Sequence, residues 1–354
     1  MLTGVWQKLK VRRAASVAMP QLADAQEPVA VFGPGFGSAL LKHYPSASLL
    51  TVASERLLMA LPVESRRAHD RALVTPVTPV SLPQISRAMA HEAVLAFLNR
   101  QKRPFRFSSL PEDSLFAAQL KDHAVRWGMV QRWQRAGLRV EGTYDAWLDR
   151  NFDAKRRKEW KRQRNRLSEL GTLEAARLDD LNSNIADYLA LEAKGWKGRA
   201  GTALKNCETQ TALFKDLCAA LAAAGSLRFW SLRLDGRCIA ALVGIVEGDR
   251  AWIFKIAYDE DYAKFSPGVL VVLDATRDFF EGGQVKLADS CAIPDHPMIN
   301  RIWPDRIGFA DVLVAPQGVS LVRFALIHAA LKGMVLARRK LKPLYLKFKG
   351  RKLS

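Results

Sequence analysis

The chain has 354 residues, 49% of them hydrophobic and 25% charged. That excludes a disordered or fibrous polymer and leaves room for two domains of ordinary size. Lysine and arginine exceed the acids by +19, which invites an anionic partner. Cys207, Cys218, Cys238 and Cys291 make no CxxC pair and no zinc spacing, so no metal is expected and a reducing, cytoplasmic setting fits.

In chain order, residues 1–27 read as an arm. Lys8, Lys10, Arg12 and Arg13 are followed by no long apolar run, so no secretory signal is expected. Residues 28–32 suit a strand and Gly33-Pro34-Gly35-Phe36-Gly37 a loop. That loop lacks dinucleotide-fingerprint spacing, and Pro34 removes a donor from any phosphate cradle. Residues 49–54 read as a strand, and 60–83 as loop with short extended pieces. Residues 84–99 read as a helix with Ile85, Met89, Ala93, Ala96 and Phe97 near one face. A strand at 105–108, a helix at 112–127 and a strand at 138–141 follow. No cluster of chemical groups falls in this half, so 28–150 reads as a structural partner domain.

Residues 144–170 read as helices joined near Asn151. The second holds eight Lys/Arg between positions 155 and 166. Trp160, Leu167 and Leu170 give it an apolar strip, and its cations, Arg156 among them, form either a solvated face or an anion-recognition face. A strand at 173–176 precedes helices at 181–194 and 208–223. Between those helices lies "GWKGRAGTALKN". Its glycines make it costly to order, so Trp196, Lys197 and Arg199 are candidates for substrate contact, with a packing anchor as the alternative for Trp196.

The stretch 227–280 organises the chain. Trp230, Leu232 and Leu234 alternate on one face, and Asp235-Gly236 signals a hairpin. The apolar run 238–246 fits a strand covered on both sides, and a third strand is expected at 251–258. Ser266 can then cap a helix whose first turn holds Pro267 and Gly268 and which runs over 269–281 to Gly282-Gly283. Unpaired N–H groups at such a start suit a phosphate. A strand at 285–288 leads to Asp289, Asp295 and His296, and a strand at 312–315 completes the sheet. The end is a helix, 319–336, and a basic tail with eight Lys/Arg between positions 338 and 352. No uninterrupted transmembrane stretch is evident. The tail suits an anionic bilayer face or a solvated end, so localisation is expected to be cytoplasmic or peripheral to the inner membrane face.

Four blocks, "KRRKEWKRQRNRLSELG", "LEAKGWKGRAGTAL", "YDEDYAKFSPG" and "DSCAIPDHPMINRIWPDR", resemble in family order the cellulose-biosynthesis-associated acetyltransferases of the GNAT superfamily. Tandem arrangements of this kind also resemble the Fem-type aminoacyl transferases. The resemblance implies an α/β (α+β) fold, a mixed and mostly antiparallel sheet flanked by helices, in two tandem GNAT-like domains. These would be a degenerate one at 28–150 and the acyltransferase at 151–318, with 319–354 as helix and tail. It implies acetyl-CoA or another acyl-CoA as donor and an amine or hydroxyl acceptor on a saccharide or envelope precursor. The donor would lie along Ile256, Ala257 and Tyr258 and meet Lys264, Phe265, Ser266, Pro267, Gly268 and Val269. Pro267 and Val269 stand where the superfamily's phosphate loop has small residues, so fewer backbone donors remain and the donor's identity is open. Arg156, Trp160, Trp196, Lys197 and Arg199 would meet the acceptor.

For chemistry, His296 is the candidate base because imidazole titrates near neutral pH. Asp295 or Asp289 could orient it or act instead, and Tyr258 or Tyr262 could protonate the leaving thiolate, with core packing the alternative for either tyrosine. A turn in which Asp caps and His packs is the structural alternative. Two other functions stay open, a tRNA-dependent aminoacyl transferase and a membrane-associated scaffold without catalysis, with nucleic acid the less favoured partner.

Overall fold

The computed structural model describes residues 9–15, 19–20, 22, 33–75, 77–316 and 318–351. The expected strand at 28–32 lies outside them. Two compact units emerge, Met1–Glu27 with Tyr44–Trp133 and Gly308–Ser354, and Pro28–His43 with Gln134–Ile307. The sequence-based division at 150/151 and 318/319 differs from this one, which falls at 133/134 and 307/308 and assigns 28–43 to the second unit.

In the first unit, β1 (Lys10–Ala14), β2 (Ala47–Ala53) and β3 (Leu57–Ser65) pair antiparallel. β4 (Asp70–Ala72) follows β3, and the short β5 (Gln84–Ile85) also pairs β3. β4 runs parallel to β6 (Phe105–Pro111), and β6 pairs antiparallel with β13 (Asp305–Ala315). Helices α2 (Ala90–Arg100) and α3 (Leu115–His123) bury Phe97 and Phe116 against Phe105 and Phe107. Asp311 is buried and accepts from Arg106, the Ser109 amide, Gln131 and Trp133, so its charge is spread over four donors. The long helix α10 (Leu321–Arg351) rests Phe324 and Leu331 on Val130, Leu313 and Ala315. Among the described residues no helix is long and apolar enough to cross a membrane.

Four local expectations change here, the first being the helix at 84–99, which begins only at Ala90 while Gln84–Ile85 is strand β5. The arm contains a strand, β1. The stretch read as loop at 60–83 opens inside β3. The helix expected at 112–127 stops at His123, and β7 (Arg126–Arg139) begins three residues later.

In the second unit, the end of β7 pairs with β12 (Leu287–Asp289), and β12 runs parallel to β11 (Arg250–Tyr258). β10 (Arg237–Glu247), β9 (Leu227–Leu234) and β8 (Leu173–Arg177) follow antiparallel. The β9–β10 hairpin turns at Asp235 and Gly236, with φ of 47° and 77°, as their sequence demands. Helices α4 (Tyr144–Asn151), α5 (Ala154–Ser168) and α9 (Pro267–Glu281) bury Trp147, Trp160, Leu270 and Phe279 in a core with Ala251, Ile253, Ile256 and Tyr258 of β11. Phe254 of β11 instead meets Phe36 of α1 (Pro34–His43) and Phe214 of α8 (Glu208–Ala223), and Tyr188 of α6 (Leu181–Lys194) packs at a tilt against Phe214. The loop expected at 33–37 is therefore the first turn of α1. Pro34 fits a helix start, where its missing N–H costs nothing, and Gly35 lets α1 approach α8, since a Cβ there would sit 2.8 Å from Ala220 Cβ.

The β10–β11 register slips between Val243 and Gly244: Val243 faces Lys255 and Gly244 faces Ile253. Phe254 is thus an extra residue, a bulge of the kind that re-aims side chains beside functional sites.

Candidate active site

The ladder between β11 and β12 is three residues long. It runs Arg250↔Leu287, Ala251↔Ala288 and Trp252↔Asp289, and there β12 ends. β11 continues to Tyr258, paired on its other side to Ala240 of β10. Residues 253–258 therefore leave the β12 ladder behind and form an edge of β11 on that side. Ile256, Ala257 and Tyr258 are the last residues of that edge.

The start of α9 adjoins it. A Cβ on Gly268 would lie 3.0 Å from Tyr258 Cδ1 and 3.6 Å from Met298 Sδ. This glycine brings the end of β11, the helix start and the His296 turn together. Ser266 occupies the cap position but is left-handed, φ 52°, and its side chain caps nothing, which corrects the expected Ser266 side-chain cap. Its carbonyl takes the N–H groups of Val269 and Leu270 at 2.9 and 3.2 Å. Pro267 has no N–H, so the amide of Gly268 is the donor this turn can offer an anion. Lys264 is exposed, its Nζ 4.9 Å over the ring of buried Phe265.

His296 is half-buried in the turn after β12. Its Nδ1 receives the amides of Met298 and Ile299 at 3.3 and 3.4 Å, so it caps the short helical turn Ile299–Arg301. A neutral ring bonded this way carries its proton on Nε2. Burial and then the Lys197 charge hold it below the ordinary imidazole range. Asp289 does not reach it. Both Asp289 oxygens meet Arg135, at 2.6 and 2.7 Å, and one also takes the Cys291 amide at 2.9 Å. Asp295 is exposed. Burial pushes the Cys291 thiol up, away from thiolate chemistry.

The glycine-rich segment is not a loop throughout. It forms α7 (Trp196–Arg199) and a second short turn, Leu204–Asn206. Glu192 is buried and holds the segment by accepting from Lys197 Nζ at 2.7 Å, the Leu204 amide at 2.8 Å and Tyr188 Oη at 2.8 Å. Glu260 binds the Trp196 amide at 2.7 Å and Arg199 at 2.5 Å. Gly198 is required, because a Cβ there would sit 1.7 Å from the Ala193 carbonyl oxygen. Two acids, buried Glu192 and half-buried Glu260, thus order the segment. Trp196 is 59% exposed, so it anchors no core.

On α5, Trp160 is 9% exposed and packs edge-on to Phe152 at 4.8 Å. Arg156 lies over it, 5.5 Å from the ring. Trp160 is thus committed to packing, while Arg156 faces out with Lys155, Lys158 and Lys161.

Sequence reasoning missed Lys255. It stands on the part of β11 beyond the β12 ladder, and burial, with the Lys197 charge, lowers it to about 8. A lysine inside an apolar strand was a signal in itself, since this residue type is rarely buried without a purpose. Glu192, placed on an amphipathic helix like any surface acid, carried no such signal.

Residues 154–294 match the model of the acetyltransferase (GNAT) domain, so the chain carries a GNAT-superfamily domain. No curated protein matches the chain. Several solved structures share the fold. One is the C-terminal DUF2156 domain of a protein from Agrobacterium fabrum named as a lysylphosphatidylglycerol synthetase. Its TM-score is 0.54 at 14% identity, covering 87% of this chain and 92% of that one. FemX aligns with a TM-score of 0.51 at 10% identity, covering 80% and 90%. L-PGS from Bacillus licheniformis aligns at 0.50 and 10% identity, covering 88% and 99%. Likeness at these identities establishes the architecture expected from the sequence, a mixed sheet flanked by helices as in FemX.

Proposed function

We propose that the GNAT domain transfers an acyl group from acetyl-CoA or another acyl-CoA to an amine or hydroxyl of a saccharide or envelope precursor, as in exopolysaccharide or cellulose biosynthesis. The reading rests on one observation above all: β11 runs on to Tyr258 after its ladder with β12 ends at Trp252↔Asp289, beside the start of α9. A pantetheine arm can pair with that edge while its phosphates lie near Gly268, Ser266 and Lys264.

Transfer would be direct. The acceptor attacks the thioester carbonyl, amides near Ile256, Ala257 and Tyr258 hold the oxyanion, and the carbon–sulfur bond breaks as the thiolate takes a proton, for which Tyr258 or Tyr262 is the proposed phenol. His296 is proposed to take the acceptor's proton through Nε2. It must first move its ring proton to Nδ1 and give up two backbone bonds that are long and weak.

A second reading has its own support. With Gly268 as the amide that the α9 turn offers, a CoA pyrophosphate is thinly held, and the exposed cations of α5 suit a polyanion. An aminoacyl-tRNA donor, as proposed for Fem-type relatives, would use the same gap. Thermal unfolding separates the two. Stabilisation by acetyl-CoA supports the first reading and by charged tRNA the second. Stabilisation by neither overturns both and leaves the scaffold reading, in which the basic tail would hold the protein to anionic vesicles.

A further inference from the structure

We infer that the outward face of α10 docks on an anionic lipid bilayer, lying in its surface rather than crossing it. The inference stands apart from the donor and acceptor of the GNAT domain. One face of α10 is committed to the first unit. Phe324 and Leu331 are buried against Val130, Leu313 and Ala315, and His328 Nε2 donates to the Met129 carbonyl at 2.8 Å. At about 100° per residue, Val322, Leu326, Ala329, Gly333 and Leu336 share an arc of about 80° on the opposite side. Val322 is 70%, Leu326 67% and Leu336 56% exposed. Leu321, Val322, Leu326, Met334, Leu336 and Leu341 are over half of the large apolar side chains exposed among the described residues, and all stand on this one helix. The inner contacts hold this outer strip toward solvent.

The charges decide what covers it. Leu321–Arg351 holds nine Lys/Arg and no Asp or Glu. Arg323 lies on one flank of the strip and Lys332 and Arg339 on the other, all three exposed. A second copy seated on this face would set nine cations against nine with no acid between them, so self-association is opposed. A nucleic acid would use the cations and leave the strip in water. An anionic bilayer uses both: headgroup phosphates meet the flanking cations while the strip enters the boundary with the acyl chains. Lys340, in line with the strip, can extend its stem along it and keep its ammonium among the phosphates. The helix is not apolar enough to cross a membrane, which leaves it lying flat.

The test is flotation of the full chain with vesicles of phosphatidylcholine alone, or with about one part in three phosphatidylglycerol, over a salt series. The mixed vesicles should bind about tenfold more tightly, and part of that binding should survive about 0.5 M NaCl, where surface charges are largely screened. Leu326→Gln with Leu336→Gln keeps every charge and changes exposed positions only. Its melting temperature should hold and its partitioning should fall by about tenfold. Lys332→Gln with Arg339→Gln should instead cut the preference for phosphatidylglycerol by about tenfold. Binding abolished by salt, or undiminished in the leucine pair, reduces the contact to charge alone and overturns the inference. Equal binding to both vesicles, or a preference unchanged in the cation pair, also overturns it. A dimer in sedimentation that the leucine pair abolishes would hand the strip to a second copy.

Discussion

Arg135 grips Asp289 with both ends of its fork, Nε to Oδ1 at 2.6 Å and Nη2 to Oδ2 at 2.7 Å, and both side chains are buried. Asp289 is also the last residue of β12 and the one opposite Trp252. The pair therefore stands where β11 and β12 stop bonding, and it fixes the point at which the sheet opens. Removing one member strands a buried charge. Asp289→Ala should lose about 3–5 kcal/mol of stability, read as a lower urea midpoint, whereas an unchanged midpoint would mean the pair is hydrated.

For His296 the informative variant is Asn, not Ala alone. Asn keeps an acceptor for the Met298 and Ile299 amides but has nothing in place of Nε2. His296→Asn should fold normally, bind acetyl-CoA as before and turn over about 10²–10⁴-fold more slowly. Full activity would reduce His296 to a cap.

Gly268→Glu places bulk against the Tyr258 ring and a negative charge at the helix start. Acetyl-CoA affinity by calorimetry should fall below detection, with the variant still folded by circular dichroism. Unaltered affinity would move the phosphates elsewhere.

The turn at Gly198 has no room for a methyl group. Gly198→Ala should destabilise the α6–α8 connection by about 1–3 kcal/mol and speed proteolysis there. A resistant variant would show that the segment relaxes freely.

His69 in the first unit has its folded-state pKa lowered from 6.5 to about 4 by burial, aided by Arg106, Arg71 and Arg103. The unfolded chain binds the proton more readily, so stability is lost as pH falls from about 6.5 towards 4. His69→Gln should flatten that part of a melting-temperature profile. An equally steep profile would assign the acid sensitivity to other groups.

What the sequence made legible were elements whose signals agree with one another. Helices α6 and α8, the Asp235-Gly236 hairpin and the β9–β11 succession all lie where periodicity and turn chemistry place them. Less legible were elements whose local residues argue against them. β3 carries Pro62 within a strand, and α1 holds glycines at positions 35 and 37; packing overrides propensity in both. The bond between Lys197 and Glu192 was hidden for another reason. Glu192 and Lys197 lie on different elements, and nothing in their spacing announces that they meet.

One added residue decides which face of the sheet each side chain at the end of β11 takes. Before Phe254 the odd-numbered positions of β11, 251 and 253, belong to the interior shared with α9; after it the even-numbered ones, 256 and 258, do. Were β11 to run through Phe254 without a bulge, the two sets would exchange downstream, driving an ammonium into hydrocarbon and turning a phenol out of it. The parity of a single strand thus divides its chemistry between opposite sides of one sheet.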